Sequence, residues 1–136
     1  MSYGASAALQ QALFDRLSGN PTLNTLLGGA IFDALPEGSL PSLYLMIGPE
    51  EARQFSDISA GGAVHEFALT IVGGEAGFLS AKQAAVAASD ALLGAPNLTL
   101  SRGRLINLDF LRARARKTDT AREIELWFRA LIDDVA

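Results

Sequence analysis

The sequence predicts an α+β domain: an antiparallel sheet of about five strands, with two main helices packed on one face and a long C-terminal β-hairpin. Three observations predict this class. Residues 64–72 alternate as a strand does, residues 78–93 are alanine-rich with helical spacing, and residues 104–116 and 121–133 are two long strand-like runs around a short turn. At 136 residues the chain suits one domain, so residues 1–136 are expected to fold as a single unit.

The N-terminal part predicts two helical segments. Residues 5–18 form an amphipathic helix with one stripe of large apolar side chains: Leu9, Leu13, Phe14 and Leu17. Asn20 is typical of an N-cap and Pro21 of a first helical position, which predicts a short second helix ending at Gly28 and Gly29.

Two short strands are predicted next, at residues 30–34 and 43–47, with a link rich in proline and glycine between them. Residues 49–62 show no useful periodicity and are predicted to form a long exposed loop. Loops longer than about 12 residues are uncommon in compact domains and are usually functional or mobile.

The remaining chain predicts strand, helix and strands. His65, Phe67, Leu69 and Ile71 share one face of the first of these strands, and the helix at 78–93 has a flat face of small residues that lets it lie close on a sheet. Residues 98–100 are a candidate short strand. The final two strands are long enough to reach roughly 40 Å at about 3.3 Å per residue, so part of the hairpin is expected to project or pair beyond its own subunit.

The composition indicates assembly with other subunits. Charged residues make up 19 %, below the ~25 % of ordinary domains, and the mean hydropathy is positive at +0.24. A small domain has a large surface to cover, so this shortage of charge implies apolar surface buried against another subunit. The alternative is a compact monomer rich in alanine and glycine.

Residues that could support catalysis or bind a metal are few. The sequence has no cysteine and one histidine, and His65-Glu66 begins like a zinc-protease motif without the required second histidine. No serine lies in a Gly-x-Ser-x-Gly elbow, and the glycine pairs do not form a phosphate-binding loop. We therefore expect no enzyme activity, no cofactor and no metal, with a small hydrolase around His65 as the weakest alternative. His65 itself is expected at a sheet edge or interface.

The sequence shows no membrane span or secretory signal, so the protein is expected to be made in the cytoplasm. The net charge is −4, which argues against a dedicated nucleic-acid binder. Arg112, Arg114 and Arg116 nevertheless alternate with apolar residues and should project from one strand face. This stripe either contacts acidic protein surface or phosphates, or is a solvated face balanced by Glu123 and Glu125.

The sequence resembles the tail-completion family of long-tailed, siphovirus-like phages, and most closely the tail terminators of gene transfer agents. The resemblance is distributed over five segments in the family's order: Leu27–Asp33 with Pro36, Leu40–Leu45 with Gly48, Glu66–Ile71, Ala91–Leu93, and Asp119–Arg122 with Leu126–Ala130. Glu123-Ile124 departs from the small residue expected after the closing turn.

The resemblance implies a structural virion protein: a hexameric ring that caps the tail tube, ends tail elongation and joins the tail to the head–neck connector. It implies assembly in the bacterial cytoplasm, the tail tube protein and the connector (stopper) as partners, and DNA passing through the ring without specific binding. Another neck component, a stopper or adaptor, is the closest alternative, and a DNA-binding accessory protein a more distant one. The expected subunit or partner contacts are Glu50, Glu51, Arg53, Asp57, Arg112, Arg114, Arg116 and Trp127.

Overall fold

A computed structural model describes residues 3–54, 62–74 and 78–134. The described residues form three helices and five strands in the order α1 (Ser6–Ser18), α2 (Pro21–Leu27), β1 (Ile31–Phe32), β2 (Leu43–Gln54), β3 (Gly62–Gly73), α3 (Leu79–Leu93), β4 (Arg104–Lys117) and β5 (Arg122–Asp133). The predicted α+β class is confirmed, and both predicted main helices end within a residue of their expected bounds.

The five strands form one sheet in the order β1-β2-β3-β5-β4. All neighbouring strands are antiparallel except β1, which runs parallel to β2. The sheet is therefore mixed, whereas a purely antiparallel sheet was expected. The short β1 also covers less than the predicted 30–34, since only Ile31 and Phe32 pair with β2. Strand β3 lies in the centre, and β4 forms one edge.

The core lies between the sheet and the helices. On α1, Leu9, Leu13 and Leu17 are buried, whereas Phe14, predicted on the same stripe, is exposed. The start of α2 follows the predicted capping, because the Asn20 side chain accepts a hydrogen bond of 2.9 Å from the Leu23 backbone N–H. That bond satisfies one of the helix's free donors and fixes where α2 begins.

Helix α3 packs through its predicted alanine face. The buried residues on this helix are Ala81, Ala84, Ala85, Ala87, Ala88, Ala91 and Leu92. Alanine loses no side-chain entropy in a helix and has no bulk beyond Cβ, so the α3 backbone can approach the sheet closely.

The predicted loop at residues 49–62 is wrong for residues 49–54 and for Gly62, which lie in strands. Strand β2 continues to Gln54 beyond an irregularity between Ile47 and Glu50, and β3 already begins at Gly62. Residues 55–61 lie outside the described residues. The error has a physical reason: β1 pairs only with Leu45 and Met46, so the second half of β2 is a sheet edge that needs no apolar alternation.

The C-terminal hairpin does not project beyond its sheet. Strand β5 pairs with β3 over its full length, from Gly73–Arg122 to Gly62–Asp133, so the hairpin's length matches the central strand. The predicted strand at 98–100 is not one; Leu98 is buried, but the segment has no regular secondary structure. Within residues 3–54, 62–74 and 78–134, no helix is long and apolar enough to cross a membrane.

We predict that Phe128→Ala lowers the free energy of unfolding by about 3–5 kcal/mol, the usual cost of emptying a buried aromatic site. Phe128 is fully buried, with ring centroids 5.5 Å from Phe67 and 5.8 Å from Phe110. Urea unfolding measures the loss. The control is Phe110→Ala on the exposed edge strand, which should cost about 1 kcal/mol. Equal losses at the two positions would contradict this packing.

Candidate interaction surfaces

The sheet face opposite the helices, here called the outer face, is densely charged and electrically balanced. The strand registers place six arginines and six carboxylates on it. The cations are Arg53, Arg104, Arg112, Arg114, Arg116 and Arg129, and the anions are Glu51, Glu66, Asp109, Glu123, Glu125 and Asp133. Because the two signs are equal in number and most of these charges face an opposite charge on the neighbouring strand, the outer face produces no strong field of either sign.

The predicted arginine stripe lies on this face, and its charges are matched by β5. Arg116 makes a 2.9 Å ion pair with Glu123, and the Arg112 guanidinium stacks 5.0 Å from the centroid of the Trp127 ring. Arg114 is the cross-strand partner of Glu125. The structure therefore favours the interpretation of a solvated face balanced by Glu123 and Glu125.

Trp127 is held in place by its neighbours. Its indole N–H donates a 2.6 Å hydrogen bond to Glu125, and Arg112 covers its ring. Such cation–π contacts at exposed sites contribute about 0.5–1 kcal/mol. The half-buried Trp127 is therefore a rigid aromatic surface on the hairpin, of the kind that is frequent at protein interfaces.

A second row of charges crosses the sheet. Arg53 on β2 lies 3.5 Å from Glu66 on β3, and Arg129 on β5 lies 3.9 Å from Asp109 on β4. Glu66 and Arg129 are themselves cross-strand partners. Exposed pairs of this type stabilise a fold by only about 0–1 kcal/mol each, so they can exchange partners on assembly at little cost.

Glu50 lies on the opposite, helix-facing side and is engaged within the subunit. Its carboxylate accepts hydrogen bonds of 2.7 Å from the Tyr3 hydroxyl and 2.8 Å from the Ser6 hydroxyl, and it lies 3.3 Å from Nδ1 of His65. The Tyr3 ring stacks on the imidazole at 6.1 Å. These contacts tie the N-terminal segment to the sheet.

His65 is fully buried in the central strand β3, so its predicted position at a sheet edge is wrong. In the described part of the chain its Nε2 has no hydrogen-bond partner. Across the same described ranges, no group of three or more His, Cys, Asp or Glu side chains could hold a metal ion. The surroundings of His65 are thus those of a structural residue in the core.

The other predicted contact residues are separated from the stripe. Glu51 is exposed on the outer face of β2, opposite Glu66, with strand β3 between it and the hairpin. Asp57 lies outside the described residues. The structure therefore brings together Arg112, Arg114, Arg116 and Trp127, places Glu51 and Arg53 on the same face at a distance, and separates Glu50 from all of them.

Sequence reasoning missed an apolar surface on the helix side. Leu79, Val86 and Leu93 are exposed along α3, the first two by 73 % and 61 %. Their spacing of seven residues places them on nearly one line along the helix, a signal that was readable in the sequence. We call these three residues the α3 ridge.

Beside the ridge, a groove of about 400 Å³ separates α3 from the hairpin. Its floor is formed by small and apolar hairpin residues and its wall by α3, with Lys82 as the one charged lining residue. We call this the α3 groove; its principal lining residues are Lys82, Val86, Phe110, Ala113, Ala115 and Leu126. Unlike the outer face, it offers apolar area of the kind that interfaces bury.

Comparison with known proteins agrees with the sequence resemblance. The family of tail completion protein gp17 matches residues 11–133. A solved structure described as the virion of a native gene transfer agent (GTA) particle contains a chain with 46 % sequence identity and a TM-score of 0.90. The match covers 97 % of this chain and 99 % of that one. A comparison with curated proteins gives no match.

We predict that the balanced outer face does not retain duplex DNA. Wild-type protein should bind no tighter than about 0.1 mM at physiological salt, because counterion release requires uncompensated cations. Removing two balancing carboxylates with Glu123→Gln and Glu125→Gln should produce binding that weakens steeply with salt. Fluorescence anisotropy across a salt series measures both.

The matched control for this charge effect is Glu37→Gln with Asp90→Asn, which changes the net charge equally but away from the arginines. It should leave DNA binding unchanged. Tight wild-type binding that Arg114→Ala abolishes would instead support the DNA-binding alternative.

We predict that Glu50→Ala destabilises the fold by about 1–3 kcal/mol, since it removes a charged acceptor and leaves the buried His65 Nδ1 without its partner. Glu51→Ala is the matched control, because this exposed carboxylate makes no hydrogen bond or ion pair within the described residues. It should change stability by less than about 0.5 kcal/mol. Chemical denaturation measures the free energy of unfolding of both variants. A comparable loss of stability at both positions would refute the role given to Glu50.

Proposed function

Because the chain belongs to the tail completion protein gp17 family, we propose that it is a tail terminator, a hexameric ring that caps the tail tube and stops its elongation. The chain is a structural component of a virion, associated with other tail and head proteins. In the proposed role it contacts the tail tube protein on one side and the head–neck connector on the other. DNA passes through the ring without specific binding.

The observation that carries this proposal is the nearly complete match to a chain of the gene transfer agent particle. At 46 % identity and a TM-score of 0.90, with 97 % of this chain and 99 % of that chain covered, the two chains share one fold. Fold alone does not assign function, but the matched chain is part of a virion particle. We therefore propose a role in such a particle for this chain as well.

Two surface properties support a ring. The α3 ridge and α3 groove are apolar and unpartnered in the described subunit, as the low charge content predicted. Contacts between unlike surfaces of identical subunits close into a ring when the rotation permits. The balanced outer face, together with the net charge of −4, supports passage of DNA without retention.

The absence of enzyme activity belongs to the same proposal. Neither the family nor the virion neighbour is catalytic in character, since both are structural particle components. The one histidine of the described residues, His65, is buried and contacts Glu50. Its imidazole does not reach an open cleft, as the side chain of a catalytic base would. We therefore assign the chain a role in assembly.

We predict that particles made without this protein carry tail tubes of irregular, excessive length that are not joined to heads. The reason is that a tube without its cap continues to add subunits and presents no surface to the connector. Electron microscopy of particles from a deletion strain, with the wild-type gene restored as control, measures tail length. A stopper or adaptor would instead leave tail length normal, and unchanged particles would contradict any neck role.

A further inference from the structure

The α3 groove has a cationic end. Lys82 lies on its rim, and Arg122 and Lys117 are two residues beyond Ile124 and Ala115 on the same face of the hairpin. Lys82 and Arg122 lie 5.8 Å and 5.6 Å from the centroid of the Phe78 ring. Within the described ranges none of the three cations is in an ion pair with a carboxylate. The groove therefore favours an apolar segment with negative charge.

One exposed segment of this chain has that chemistry. Residues 33–42, here called the acidic loop, connect β1 to β2 without regular structure, and all ten are exposed. The loop contains Asp33 and Glu37 and no cation, and it presents Leu35 and Leu40 to solvent. Neither carboxylate forms an ion pair within the described residues. A fully exposed loop with two leucines has apolar side chains left to bury.

The acidic loop and the α3 groove lie at opposite edges of the sheet and at the same level along its strands. Leu43, which follows the loop, is aligned across the sheet with Gly73, Arg122 and finally Lys117 at the end of the groove. The loop of one subunit can therefore meet the groove of the next with little shift along the strands. This geometry permits a closed ring, whereas a large shift at each contact would generate a helical filament.

We propose that the α3 groove binds the acidic loop of a second copy of this chain, head to tail. Leu35 and Leu40 lie against the apolar floor and the α3 ridge, and Asp33 and Glu37 face Lys82, Arg122 and Lys117. Opposite charges at the rim set the orientation, and the leucines contribute most of the affinity. This inference rests on the proposed ring, and it names the two surfaces that close it.

Two complementary variants test the contact. Leu35→Asp with Leu40→Asp disables the loop and keeps the groove, whereas Val86→Glu disables the groove and keeps the loop. All three positions are exposed, so both proteins should fold, which circular dichroism verifies. Each variant alone should associate about a hundredfold more weakly than wild type, because hot-spot side chains carry most of an interface's energy.

Mixing the two variants gives the decisive result. One productive contact remains possible, between the loop of the Val86→Glu protein and the groove of the other, so native mass spectrometry should show a one-to-one heterodimer and no larger species. Ser101→Glu is the control, placed before β4 at the far end of the sheet. It should assemble as wild type does.

The outcomes separate the two proposals. If both variants form the wild-type ring, this contact is wrong and the ring function stands. If the variants form rings but no longer bind tail tubes, the groove belongs to the tube protein and the second-copy occupant is wrong. A wild-type protein that stays monomeric in solution and on tail tubes would contradict the ring itself.

Discussion

The whole fold depends on the central strand β3. It pairs over its full length with β5 on one side and with β2, through one irregularity, on the other, and it is buried for most of that length. Its twelve residues therefore set how long the flanking strands must be. The length of the C-terminal hairpin therefore matches the length of this strand, and together the strands set the sheet area that faces the helices.

The helix layer cannot cover that area completely. Helix α3 has 15 residues and spans about 22 Å, whereas β4 has 14 residues and runs about 45 Å. In addition, the buried side chains of α3 are alanines except for Leu92, and its other large apolar residues, Leu79, Val86 and Leu93, are exposed. The exposed α3 ridge and the bare floor of the α3 groove are thus consequences of how the core is packed.

The elements predicted correctly from the sequence are those whose pattern is local. Periodicity defines α1, α3, β3 and β5, and Asn20 with Pro21 marks the start of α2. The second half of β2 escaped prediction because an edge segment keeps polar side chains on both faces, and β1 was overestimated because only two of its residues find a partner. His65 was misplaced because the strand order, which puts β3 in the centre of the sheet, depends on pairing between distant segments of the chain.

The candidate surfaces, like the fold, could be predicted from the sequence only where their pattern is local. Alternation alone places Arg112, Arg114 and Arg116 on one face, but the β4–β5 register is needed to show that Glu123 and Glu125 stand opposite. The α3 groove combines residues from α3 with residues from both hairpin strands. No local pattern contains that combination, so only the tertiary structure reveals it.

The edge strand β4 limits how subunits can join. A long regular edge invites another strand to add to the sheet, which is a common route to uncontrolled aggregation. Here the ladder with β5 is interrupted twice, between Leu105 and Asn107 and between Phe110 and Arg112, and its last part is rich in arginine. Irregularities of this kind twist an edge away from regular pairing. Association through side chains in the α3 groove is therefore favoured over extension of the sheet, and side-chain contacts with matched charges restrict assembly to the correct partner.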